Sequence, residues 1–68
     1  MAFNPNMLKA KIAEHGLRSY ELAEIIGINK ATLYKKMHGK GEFNRREMSE
    51  IRKALNLSAV DMDSIFFS

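Results

Sequence analysis

Between Ile28 and Gly41 the chain carries Lys30, Lys35, Lys36 and Lys40 and no acidic residue. Clustered cations without counter-charges suit a polyanion, nucleic acid being the common one; a solvated lysine face is the alternative. The imbalance is local. Residues 1–41 hold seven Lys/Arg against three Glu, a balance of +4, whereas residues 42–68 hold four against five, a balance of −1. Other chemistries find little support. The chain has no cysteine, which removes thiolate zinc sites and disulfides, and His15 and His38 are too few for a metal cluster. Glu47 and Asp61 read as helix caps and Glu50 and Asp63 as surface charges, with no nucleophile–base arrangement among them. Neither an enzyme nor a cofactor nor a small-molecule substrate is expected.

The elements that must carry these lysines are short helices. Asn4-Pro5 reads as an N-cap followed by proline at the first helical position, with Phe3 and Leu8 as the two ends of a hydrophobic staple. Leu8 and Ile12 share one face, and Gly16 with Leu17 ends a helix over 5–15. Ser19 can cap a second helix over 19–26, burying Leu22, Ala23 and Ile26 and stopping at Gly27. Asn29 caps a third, with Leu33 and Met37 inward and Gly39 closing it. Asn44-x-x-Glu47 is a capping box for a fourth, along which Met48, Ile51 and Leu55 recur at helical spacing. Ser58-x-x-Asp61 opens a fifth, with Met62, Ile65 and Phe66 apolar. No segment alternates like a strand. Sixty-eight residues, 46% of them apolar, make one all-α domain over 1–68.

The second and third helices are separated only by Gly27-Ile28-Asn29, a turn tight enough to set them at a steep angle. Ala23 is small where the helices cross, Gly27 supplies a positive φ, and Ile28 fills the wedge with Leu22 and Leu33. This segment, LAEIIGINKATLYKKMHG, resembles the helix-turn-helix of the lambdoid phage Cro and repressor family. The matching positions are Leu22-Ala23, Gly27, Ile28, Asn29, Leu33 and Gly39. The likeness extends to Gly16-Leu17 upstream, and downstream to Phe43, Glu47-Met48, Ile51, Leu55-Asn56-Leu57-Ser58 and Ile65-Phe66-Phe67. It implies a compact five-helix, lambda-repressor-like DNA-binding fold. The chain departs from the pattern at Arg18-Ser19, where the family often has Thr-Gln, and at Ile25, where a polar residue is usual. Ile25 either packs against the fifth helix or joins an exposed apolar patch.

The resemblance implies a recognition helix over 29–38, lying in the major groove of double-stranded DNA. Its base-reading candidates are Lys30, Ala31, Tyr34 and Lys35, which fall opposite Leu33 and Met37. Lysine donates to guanine O6 and N7, and alanine meets a thymine methyl. Thr32, Lys36, His38 and Lys40 are candidates for phosphate. So are Ser19, Arg18 and Tyr20, one of which would have to serve in place of the family's phosphate-holding glutamine. Plainer readings exist: Tyr34 as a half-buried surface aromatic, Lys36 as a snorkelling lysine, His38 as a helix-end residue facing the dipole.

A sequence-specific transcription regulator of the phage or prophage type follows, a repressor or Cro-like protein acting by occupying its operator. The alternative is a protein-interaction module, such as an antitoxin or antirepressor. Ile65, Phe66 and Phe67 form an apolar run expected to pair two copies as a homodimer. No apolar run approaches a membrane span and the N-terminus lacks a long apolar stretch, so the cytoplasm is the expected compartment.

Overall fold

The computed structural model describes residues 3–67; Met1, Ala2 and Ser68, the ends of the expected 1–68 span, lie outside the described residues. Five helices follow in order, α1 (Pro5–Glu14), α2 (Ser19–Ile26), α3 (Lys30–Met37), α4 (Arg45–Leu55) and α5 (Ala59–Met62), with α5 running into a π-helical turn, Asp63–Phe67. No strand occurs among the described residues.

Most helix starts are set by side chains that accept the otherwise unpaired first amides. Asn4 Oδ1 accepts from the Met7 amide at 3.1 Å, Asn29 Oδ1 from Ala31 at 2.7 Å and Asn44 Oδ1 from Glu47 at 2.8 Å. Ser58 Oγ accepts from Asp61 at 3.0 Å, and Asp61 returns the bond by accepting the Ser58 amide at 3.1 Å. The second helix differs from expectation. Ser19 is its first helical residue and Arg18 the cap position, where Glu21 accepts the Arg18 amide at 2.8 Å. The Glu21 carboxylate thus satisfies the amide of the cap residue, while the Glu21 amide turns to the Arg18 carbonyl at 2.9 Å and no side chain takes the bond expected of the serine hydroxyl.

The turn after α2 depends on backbone conformation rather than space. Gly27 sits at φ +78°, and a β-carbon built there would meet nothing within 4 Å. Glycine is required because the left-handed region strains residues bearing a Cβ. The turn closes when the Ile28 amide donates to the Ala23 carbonyl at 3.0 Å.

The core draws on α1 to α4. Leu8 and Ile12 come from α1, Leu22, Ala23 and Ile26 from α2, Leu33 and Met37 from α3, and Ile51 and Leu55 from α4, all buried. Helix α2 packs against both α3 and α4, so α4 stands behind the helix-turn-helix pair. Burying a leucine fully contributes about 1.5–3 kcal/mol, and Leu8, Leu22, Leu33 and Leu55 are all essentially inaccessible. Met48, expected inward, is only half-buried, whereas Glu47 beside it is buried along with Ile51 and Leu55. Ile25 is 52% exposed, which answers the question its apolar character raised: it faces solvent.

The C-terminal end corrects part of the dimer expectation. Ile65 is fully buried and Phe66 is 8% exposed, so two of the three residues assigned to an interface belong to the core instead. The N-terminus holds them there. The Asn4 amide donates to the Ile65 carbonyl at 2.7 Å, while Phe3 and Phe43 flank Phe66 at ring-centroid distances of 5.8 and 5.6 Å. Phe67 alone of the three stays outside, 48% exposed.

Candidate nucleic-acid interface

With Leu33 and Met37 turned into the core, α3 presents its remaining side chains outward. Lys30, Ala31, Thr32, Tyr34, Lys35 and His38 are all exposed, as are Arg18, Ser19 and Tyr20 at the start of α2 and Lys40 beyond α3. The base-reading and phosphate candidates are therefore accessible, with one exception.

The exception is Lys36. Its Nζ donates to both carboxylate oxygens of Glu47, at 2.6 and 2.7 Å, and lies 5.9 Å from the centroid of the Phe43 ring. Only 17% of its side chain is accessible. An ammonium held by a buried carboxylate is not free for a phosphate, and the phosphate expectation for Lys36 is corrected on that ground. The other cations of the segment differ. Among the described residues Lys9, Lys30, Lys35 and Lys40 enter no ion pair, whereas Lys11 is shared between Glu14 and Asp61.

A shallow groove runs along the junction of α2 and α3. Lys30, Ala31, Tyr34 and His38 line it from α3 and its cap, Ser19 and Tyr20 from α2, and Lys9 from α1. The structure thus brings three base-reading candidates beside three phosphate candidates. It leaves Lys35, Thr32, Arg18 and Lys40 outside that groove. Lys9 is a cation the sequence reading passed over, because only the packing of α1 brings it to this side.

Tyr34 is 64% exposed. It stacks on the His38 imidazole with centroids 4.0 Å apart and planes inclined by 25°, and His38 Nδ1 lies 2.8 Å from the Tyr34 carbonyl oxygen. His38 closes the helix as its C-terminal cap and is exposed.

Behind this surface, Glu47 is the one buried charge among the described residues. Burial raises its pKa, but the hydrogen bond from Lys36, the Asn44 amide and the charges of Lys36 and Arg46 outweigh burial, so the carboxyl sits below its ordinary value. It is ionised at neutral pH and keeps its grip on Lys36. Sequence reasoning took Glu47 as a cap, which it is: its Oε1 accepts the Asn44 amide at 2.9 Å. The bond to Lys36 could not be read from the capping signature.

No group of three or more metal-binding side chains occurs among the described residues, and no helix there is long and apolar enough to cross a membrane. What the surface offers is an outward helix with unpaired lysines and exposed hydroxyls, suited to phosphates and base edges. No curated protein and no solved structure matches the chain. The model of the Cro/C1-type HTH DNA-binding domain matches residues 7–62, which span α1 to the end of α5. By that match over most of its length, the chain belongs to the Cro/C1-type helix-turn-helix DNA-binding domain family.

Proposed function

We propose that this DNA-binding domain is a sequence-specific transcription regulator that acts by occupying an operator, in the manner of a phage or prophage repressor or Cro-like protein. The observation that carries the reading is the outward side of α3, where Lys30 and Lys35 are exposed and unpaired while Leu33 and Met37 anchor the helix behind them. In this reading Lys30, Ala31, Tyr34 and Lys35 meet base edges. Arg18, Ser19, Tyr20, Thr32, His38 and Lys40 hold the backbone, and Lys9 joins them from α1. Occupancy needs no reaction; a bound domain excludes polymerase or a competing regulator.

A homodimer completes the proposal. A single helix-turn-helix reads few base pairs, and two related by a two-fold axis read half-sites about one helical turn apart. Phe67 is the residue left to support pairing at the C-terminal end, exposed beside the buried Phe66 with centroids 6.4 Å apart.

Selection of bound duplexes from a random pool tests the reading, followed by affinity against salt on the selected site. An enriched two-fold sequence is expected, with log affinity falling by about 0.9 per phosphate neutralised against log salt. Light scattering at micromolar concentration is expected to find dimers in the wild type and monomers in Phe67→Ser. A pool without enrichment and a salt slope near zero would replace the regulator with a protein-interaction module.

A further inference from the structure

The first turn of α4 holds both helices of the motif, each at its C-terminal end. Arg46 Nη1 donates to the Ile26 carbonyl at 3.1 Å, at the last residue of α2 before the Gly27 turn. The next residue, Glu47, holds Lys36 on the final turn of α3 with both carboxylate oxygens. Glu47 is 4% exposed and is the one buried polar or charged residue among those described. A buried ion pair is weak evidence for stability, since desolvation offsets much of its Coulomb gain; its best-attested use is to specify one arrangement over others. Here the arrangement in question is the direction in which α3 leaves the turn. Two adjacent residues on one rigid helix set it, because one grips the helix before the turn and the other the helix after it.

Hydrogen bonds to base edges tolerate little misplacement, about 0.5 Å and 10–20°. We propose that Arg46 and Glu47 are positioning residues for base reading, forming with Lys36 a clamp that aims α3 without touching DNA. The inference rests on the DNA-binding reading above and adds to it which residues outside the groove determine specificity.

The test compares affinity for the selected site with affinity for a random duplex, each across a salt series, with thermal melting alongside. Glu47→Gln keeps an acceptor for the Asn44 amide but removes the charge that holds Lys36. It is expected to lower the specific-to-random ratio by about tenfold, the worth of a hydrogen bond to a charged group, while random binding holds or rises as the Lys36 ammonium is released. Lys36→Met is expected to lower the ratio similarly and to leave the salt slope of random binding unchanged, because that ammonium neutralises no phosphate. Lys36→Arg, able to pair with Glu47, restores the ratio. A slope reduced by about 0.9 in Lys36→Met would put this lysine on a phosphate and overturn the clamp. An unchanged ratio in folded Glu47→Gln and Lys36→Met would reduce the pair to a structural one and overturn it equally. Should Glu47→Gln fail to fold, Arg46→Met decides alone: a lowered ratio at unchanged slope supports the clamp, and any other result overturns it. A wild type that prefers no duplex overturns the DNA reading itself, and the clamp with it.

Discussion

The helix-turn-helix and the C-terminal end handle apolar sequence in opposite ways. In α2 and α3 the inward residues Leu22, Ala23, Ile26, Leu33 and Met37 are spaced at helical intervals, and most of the polar residues between them are exposed, Lys36 being the exception. At the C-terminus Ile65, Phe66 and Phe67 are consecutive, so no spacing separates inside from outside. Contacts from distant residues make the division: the Asn4 amide on Ile65, and Phe3 and Phe43 around Phe66, with Phe67 left at the surface. The first region is organised by periodicity and the second by closure of the chain on itself. Periodic patterns can be read directly, whereas a contiguous apolar run needs the fold to partition it.

The largest expected effect sharpens that contrast. Phe66→Ala should cost about 3–5 kcal/mol, the usual loss for a buried phenylalanine, whereas Phe67→Ser should stay within about 0.5 kcal/mol in the monomer, as surface changes do. Urea unfolding at low protein concentration measures both. Equal losses at the two neighbours would break the inside–outside division drawn between them.

A smaller effect probes the periodic region. Ala23 is 1% exposed at the crossing of α2 and α3, and Ala23→Leu should overpack it by about 1–3 kcal/mol. Thermal melting reports the loss, and affinity for the selected site should fall with it because α3 is displaced. A variant of wild-type stability and affinity would show that the two helices do not depend on that close approach.

The smallest effect lies in acid and concerns the link between the two helices and α4. Because Glu47 has a lowered pKa, its contribution to stability is fully present above its ordinary value, near 4.5, and is lost as pH falls through the lower folded value. Glu47→Gln lacks this contribution at every pH, so its stability should decline less between pH 5 and 3 than that of the wild type. Asp61, held down chiefly by the Ser58 amide, titrates alike in both proteins. Parallel acid profiles for wild type and variant would mean that Glu47 is not stabilised as its contacts require.

What the sequence determined by itself was whatever depends on neighbours within about one helical turn. Asn4-Pro5, Asn29, Asn44 with Glu47 and Ser58 with Asp61 begin the helices where their capping chemistry says they should, and Gly27 takes the positive φ its turn demands. The outward position of Lys30, Ala31, Tyr34 and Lys35 follows from the inward position of Leu33 and Met37, and that too is local geometry. The start of α2 is local too: Arg18 takes the cap position and Glu21, three residues on, accepts its amide. Tertiary structure decided the rest. The partner of Lys36 lies eleven residues away and that of Arg46 twenty, and no local signal distinguishes Lys36 from Lys35 or Lys40. Lys9 reached the groove only through the docking of α1. Ile65 and Phe66 turned inward because the N-terminus met them there. A capping bond or a helical face is specified by residues that are close in the chain whatever the fold does. A buried ion pair, a shared groove or a divided aromatic run exists only once separate elements have packed, and its energy belongs to that packing.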